Sequence, residues 1–178
     1  MLDWGAHLVD TAQLAVNDGV PVEVEATGHV PKNSLTTVPV TFDVNYRYSN
    51  GVKMNVKSGG NTIRLTGTKG WIGNDGWRHK LKSSDEKILR TEYADGTSKH
   101  WNMPPLEYRN FLDCVKSRKP TTYTAETLSQ LCTTLHMGVI SIYLGEKLKW
   151  DAEKEEFTDN AAANAMRIHK PRDDWEKS

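Results

Sequence analysis

From Thr41 to Lys57 apolar and polar residues alternate almost without a break, and no other stretch constrains the fold as much. Phe42, Val44, Tyr46 and Tyr48 alternate with Thr41, Asp43, Asn45 and Arg47; after Asn50-Gly51, Val52, Met54 and Val56 alternate with Lys53, Asn55 and Lys57. A period of two sends each set to its own side of a strand. Asn50-Gly51 predicts a two-residue hairpin turn with positive φ at both positions. An antiparallel hairpin of this kind buries one face and leaves the other to water, so another part of the chain must supply its cover.

The flanking sequence predicts both more sheet and the covering helices. Val22, Val24 and Ala26 alternate with Glu23, Glu25 and Thr27, a half-buried strand, and residues 28–39 read as a loop. Ser58-Gly59-Gly60-Asn61 turns the chain so that Ile63 and Leu65 continue a meander, and residues 67–72 form a tight connection into another strand closed by Asn74-Asp75-Gly76. Residues 80–87 read as exposed, residues 88–93 as one more strand before the turn Asp95-Gly96. After Pro104-Pro105 the period becomes helical. Tyr108, Phe111, Leu112 and Val115 predict a helix packing one face on the sheet, ended by Pro120. A longer helix follows Thr124 as N-cap, with Leu128, Leu131, Cys132, Leu135, Val139 and Ile142 buried, His136 at the edge of that stripe and Gly145 as terminator. Residues 147–150 read as a short strand, 159–166 as a short helix and 169–175 as an irregular tail. The fold class is α+β: a mostly antiparallel open β-sheet with helices packed on one face.

At 178 residues the chain suits a single domain, residues 1–178, able to bury its own core. Lys plus Arg equals Asp plus Glu at 23 each, which gives no sign of a nucleic-acid partner. No apolar run approaches the roughly 20 residues that a membrane span requires. Cys114 and Cys132 both fall in helical segments and read as free, buried thiols. The glycine-rich segment near residue 67 lacks the spacing of either phosphate-binding fingerprint.

Chemistry concentrates at the start of the chain, where residues 3–16 predict a helix ending at Asn17-Asp18-Gly19. Asp3, His7 and Asp10 fall within one arc of it, with Leu8, Ala12, Ala15 and Val16 on the opposite, buried side. The stripe has three readings. A carboxylate four residues before a histidine can simply stabilise a surface helix by a few tenths of a kcal/mol. An imidazole tuned by neighbouring carboxylates suits general acid/base catalysis near neutral pH. Asp-x-x-x-His-x-x-Asp also offers three metal ligands on one face. Spacing leaves all three open.

Set in order along the chain, several strings resemble the C-terminal domain of the glucose-fructose oxidoreductase, inositol dehydrogenase and rhizopine-catabolism family, Gfo/Idh/MocA, in its bacterial subgroup. They are Asp3-Trp4-Gly5-Ala6-His7 with Asp10 and Ala12-Gln13, the hairpin ending Asn50-Gly51-Val52, and Gly67-Thr68-Lys69-Gly70-Trp71-Ile72. Residues 110–120, Leu148-Lys149-Trp150-Asp151, Arg172 and Trp175 complete the set.

The resemblance implies a two-domain oxidoreductase, with an N-terminal Rossmann domain binding NAD or NADP and this chain as the substrate-side and oligomerisation domain. By that similarity His7 would take the proton from a substrate hydroxyl as hydride leaves for the cofactor, and Asp3 would orient the imidazole or hold the substrate. It implies no metal, a sugar, cyclitol or similar carbohydrate-like substrate, and homo-oligomerisation through the open sheet. The family's dinucleotide fingerprint and its Glu-Lys-Pro lysine have no counterpart here, so no cofactor-binding residue is expected in this fragment, which is expected to be inactive alone. A non-enzymatic sugar-binding or dimerisation module is the competing expectation. Lys69, Trp71, His100 and His136 are further candidates for a pocket lining. The compartment stays open, with cytoplasm slightly favoured over periplasm.

Overall fold

The computed structural model describes residues 1–76, 79–92 and 106–168. In chain order the elements are α1 (Trp4–Val16), β1 (Glu23–His29), β2 (Thr41–Arg47), β3 (Lys53–Lys57), β4 (Ile63–Gly67), β5 (Gly70–Asn74), β6 (Lys82–Ser83), α2 (Glu86–Leu89), α3 (Glu107–Ser117), α4 (Ala125–Leu144), β7 (Leu148–Asp151), β8 (Glu156–Phe157) and α5 (Ala161–Ala165). They divide into two compact units, one of residues 1–59 and 131–178 and one of residues 60–130. Tyr93, the turn Asp95-Gly96, Pro104-Pro105 and the tail 169–175 lie outside the described residues.

The first unit holds a five-stranded sheet in the order β3-β2-β1-β7-β8, antiparallel throughout. Its register follows the alternation in the sequence. Val24 faces Tyr46, Ala26 faces Val44, and Tyr46 in turn faces Met54. These side chains are buried with Val9 of α1 and Leu131, Leu135, Met137 and Ile140 of α4. The alternate residues Glu25, Thr27, Asp43, Asn45, Arg47, Lys53, Asn55 and Lys57 are exposed, so the sheet is covered on one face and open on the other.

The hairpin turn departs from expectation. Tyr48 N–H donates to Val52 O at 2.9 Å and Gly51 N–H to Tyr48 O at 3.1 Å, giving a three-residue loop in which Gly51 (φ 86°) takes the left-handed position and Asn50 does not. The Asp18 carboxylate accounts for the difference. It accepts from Ser49 Oγ at 2.7 Å and Asn50 N–H at 3.0 Å, which locks a turn followed by a left-handed glycine. Those two hydrogen bonds also hold the Asp18 pKa below the usual carboxylate range.

Tyr46 fixes the approach of helix to sheet. Its hydroxyl donates to Thr134 O of α4 at 2.9 Å, and a Cβ added at Gly138 would lie 2.4 Å from that hydroxyl and 3.1 Å from Val44 Cγ1. The buried side of α4 is therefore Leu131, Thr134, Leu135, Met137, Gly138, Ile140 and Ser141. The expected stripe is corrected accordingly: Leu128, Cys132 and His136 are exposed, and Val139 and Ile142 are half-buried. The helix turns its small, close-packing residues inward, a preference that hydrophobicity alone does not register. Likewise α1 buries Val9, with Ala6, Ala12 and Val16 partly covered, while Ala15 is exposed.

Other local signals hold. Thr124 Oγ1 accepts from Thr127 N–H at 3.2 Å as an N-cap, Gly145 (φ 66°) ends α4, and Asn160 caps α5 through Ala163 N–H at 2.9 Å. Strand β1 runs two residues further than expected, to His29, because residues 28 and 29 still pair with Phe42 and Thr41.

In the second unit β4, β5 and β6 form a separate antiparallel sheet, so Ile63 and Leu65 do not extend the first meander. Where a strand was expected over 88–93, residues 86–89 are helical. Asp85 caps them by accepting from Lys87 N–H at 2.9 Å, a local signal that outweighs the β-propensity of Ile88. The β6 strand within the polar run 80–87 was missed. Helix α3 is amphipathic as predicted, but the residues of its apolar face, Tyr108, Phe111, Leu112 and Val115, are exposed. Cys114 is half-buried and Cys132 exposed; both are free, neither in a core.

Two outcomes test this packing. Gly138→Ala must push back a tyrosine held by a hydrogen bond, and is expected to cost roughly 1–3 kcal/mol in urea unfolding. Glu23 accepts from Arg47 Nη2 at 3.0 Å and pairs with Lys147 Nζ at 2.6 Å, and these partners lower its pKa from 4.5 to about 2. A depressed carboxylate stabilises the fold fully above its unfolded pKa, and that contribution is lost as pH falls through the folded value. Glu23→Gln is therefore expected to remove stability on the order of 1 kcal/mol near pH 6, the bases being half in water, and to flatten the loss between about pH 4.5 and 2.

Candidate active site

Helix α1 carries its polar stripe on the side away from Val9. Asp3 occupies the N-cap position and its carbonyl accepts from Ala6 N–H at 2.9 Å, while its carboxylate makes no capping bond. An Asp side chain at this position would ordinarily accept from the N2 or N3 amide. Here the carboxylate is exposed instead, at the helix end where partial positive charge gathers. One turn on, the His7 imidazole is exposed too. Its backbone carbonyl accepts from Thr11 Oγ1 at 3.0 Å.

Trp4 was not singled out from the sequence, although its i, i+3 spacing to His7 was readable. Its indole is 70% exposed, and its ring centroid stands 6.1 Å from that of His7 with the planes at 58°. An aromatic surface and an imidazole thus sit side by side on the first turns of α1. Asp10, half-buried on the same stripe, has its pKa raised by burial, partly opposed by the nearby charge of His7. The Asp10 carboxylate thus feels the charge of His7 on its own helix. Among the described residues no three His, Cys, Asp or Glu side chains are grouped to hold a metal ion.

The other candidates belong to other elements or lie outside the described residues. Lys69 occupies the exposed turn between β4 and β5, and Trp71 follows on β5 with the Arg64 guanidinium 4.4 Å from its ring centre, both in the second unit. His136 is on the exposed side of α4, and His100 lies outside the described residues. The Gly67–Gly70 segment is a hairpin turn rather than a strand-to-helix loop, and every strand pairing among the described residues is antiparallel. A dinucleotide pyrophosphate is held where a parallel strand feeds the N-terminus of a crossover helix. The described residues form no such parallel strand-to-helix crossover.

A model of the Gfo/Idh/MocA oxidoreductase family, C-terminal alpha/beta domain, matches residues 1–177. The chain belongs to this family. No curated protein matches its sequence. Among solved structures, an NAD-binding protein from Listeria innocua is similar over 83% of this chain and 46% of its own, with a TM-score of 0.61 at 17% identity. GenD2 from gentamicin A biosynthesis, in complex with NAD, is similar over 84% of this chain and 47% of its own (TM-score 0.57, 18% identity). An aldose-aldose oxidoreductase from Caulobacter crescentus is similar over 82% and 45% (TM-score 0.57, 14% identity). At these identities the likeness establishes the fold of the Gfo/Idh/MocA C-terminal domain. The chain spans under half the length of each of these structures.

The coupling within α1 gives a direct test. His7→Ala removes the cation that lowers the Asp10 pKa, so the Asp10 carboxyl should titrate at higher pH in the variant, followed by its carbon-13 chemical shift. An unchanged titration would show that the two groups do not interact.

Proposed function

We propose that residues 1–178 form the substrate-side domain of an NAD(P)-dependent oxidoreductase acting on a sugar, cyclitol or related hydroxyl compound. His7 is the general base that accepts the hydroxyl proton, and Asp3 orients the imidazole or holds the substrate. The observation that carries this reading is the exposed His7, flanked by Trp4 and coupled to Asp10, on the first helix of a chain matched over residues 1–177 by an oxidoreductase-family domain. An imidazole in water contact can exchange a proton with a bound hydroxyl, and a neighbouring carboxylate stabilises the imidazolium that results. The names of the similar structures, an NAD-binding protein, an NAD complex and an aldose-aldose oxidoreductase, support the same class of substrate and cofactor.

Every strand pairing among the described residues is antiparallel, which supports a reading in which a separate dinucleotide-binding domain supplies the cofactor site and residues 1–178 are inactive alone. The open polar face of the five-stranded sheet is its surface for homo-oligomerisation. That same face favours a second reading, a non-enzymatic dimerisation or sugar-binding module in which Asp3 and His7 only stabilise α1.

In the enzyme assembled with its dinucleotide-binding domain, His7→Ala should lower kcat by about 10²–10⁴-fold while leaving NAD(P) affinity near normal. Undiminished turnover would remove His7 from the mechanism and favour the module. Tight binding of NAD to the 178-residue chain in calorimetry would contradict the need for a second domain.

A further inference from the structure

Helix α1 places two different chemistries on either side of His7. At about 100° per residue, the positions three before and three after a residue stand about 60° to either side of it on the helix surface. Asp10 occupies one of these positions and Trp4 the other. The Asp3 carboxylate, exposed and making no capping bond, begins the same turn. Charge therefore gathers on one side of the imidazole, and a flat apolar ring stands on the other.

The arrangement is held from the core. Met1 packs against the core, its methyl 2.9 Å from where a Cβ at Gly138 would stand and its Cγ 3.5 Å from one at Gly5. Val9 is buried in the same core, and all of these residues belong to the first unit. Met1 and Val9 thus fix the first two turns of α1, with Trp4 on the side away from Val9.

The indole is 70% exposed, with its centroid 6.1 Å from that of the imidazole and the planes at 58°. That spacing suits an aromatic pair, but a pair of this kind is equally open to a buried ring. Leaving most of an indole in water forgoes the hydrophobic gain of covering it. A ligand with an apolar face recovers that gain. A six-membered polyhydroxylated ring has such a face: its hydroxyls project from the rim and C–H groups line the flat side, so it can lie on an indole while its rim stays hydrogen-bonded. An open-chain polyol holds no such face in place.

We infer that Trp4 is a specificity-determining residue of the site: the C–H face of a pyranose or cyclitol ring stacks on its indole, and a rim hydroxyl of that ring meets the His7 imidazole. This rests on the function proposed above and narrows its substrates to ring polyols with an unencumbered C–H face. Trp4 takes no part in the transfer of proton or hydride; it holds the ring.

The test uses the enzyme assembled with its dinucleotide-binding domain, with D-glucose, D-xylose and myo-inositol as ring probes and D-sorbitol and xylitol as open chains. Trp4→Ala should raise KM for ring substrates by roughly tenfold or more, with kcat changed less than about threefold, and should move KM for the open chains less than about threefold. Trp4→Phe keeps a flat ring and should stay within about threefold of the parent. Saturation-transfer NMR should show ring C–H protons receiving magnetisation from the parent and not from Trp4→Ala, and circular dichroism should be the same for all three proteins.

An unchanged ring KM in Trp4→Ala would overturn the inference. So would a rise shared equally by rings and open chains, a Trp4→Phe variant as impaired as Trp4→Ala, or a parent that transfers saturation to no ring probe. His7→Ala separates this inference from the proposed function. A ring-selective loss in Trp4→Ala, with turnover undiminished in His7→Ala, upholds the platform and removes the base. Turnover that depends on His7 and not on Trp4 does the reverse.

Discussion

The contact between Tyr46 and α4 sets the geometry on which the first unit depends. A phenol is long and carries a polar end that has to be satisfied once buried. Tyr46 can cross from the sheet to the helix only because Gly138 leaves room for its hydroxyl, and its burial is offset because Thr134 O accepts the hydrogen bond. Burial pushes the phenol pKa well up, so the donor stays protonated. This one bond fixes the rotation of α4, and with it the set of side chains that meet Val24, Val44 and Met54. Val9 completes the same core and turns α1 so that Asp3 and His7 point to water. The exposure of the candidate base is thus a consequence of packing on its opposite side.

What was legible in the chain follows from how local each cause is. Period-two alternation over residues 41–57 located β2 and β3 because a half-buried strand needs no distant information. Caps at Thr124 and Gly145 were readable for the same reason. The rotation of α4 was not, because it depends on Tyr46 meeting Gly138, 92 positions later in sequence by their numbers. Counting Leu128 and Cys132 as core gave weight to hydrophobicity and none to the small residues that let a helix approach a sheet. The hairpin turn was misread on a similar account, since Asp18, outside the hairpin, decides its form.

The candidate site shows the same division. The i, i+4 placement of Asp3 and His7 was available from helical spacing, as was the family resemblance carried by the ordered strings. The exposed ring of Trp4 beside His7 was missed because an aromatic at i, i+3 from a histidine is equally a core residue until its exposure is known. Asp10 was read as an equal member of the stripe. Its half-burial makes it different: desolvation raises its pKa while the His7 charge opposes that rise.

The two units differ in how their described residues are held together. The first closes its own core, and its open sheet face is polar, zipped by Asn55 Nδ2 donating to Asp43 Oδ1 at 2.6 Å and Asn45 Oδ1 at 2.9 Å. Water satisfies such a face. The second unit has caps, ion pairs and a hairpin but no buried apolar side chain among its described residues. Hydrogen bonds net little against water, and the hydrophobic effect supplies most of what holds a domain together. The described part of the second unit is held by these hydrogen bonds and by half-buried side chains such as Ile63, Trp71, Ile72 and Ile88, where the first unit has a closed apolar core.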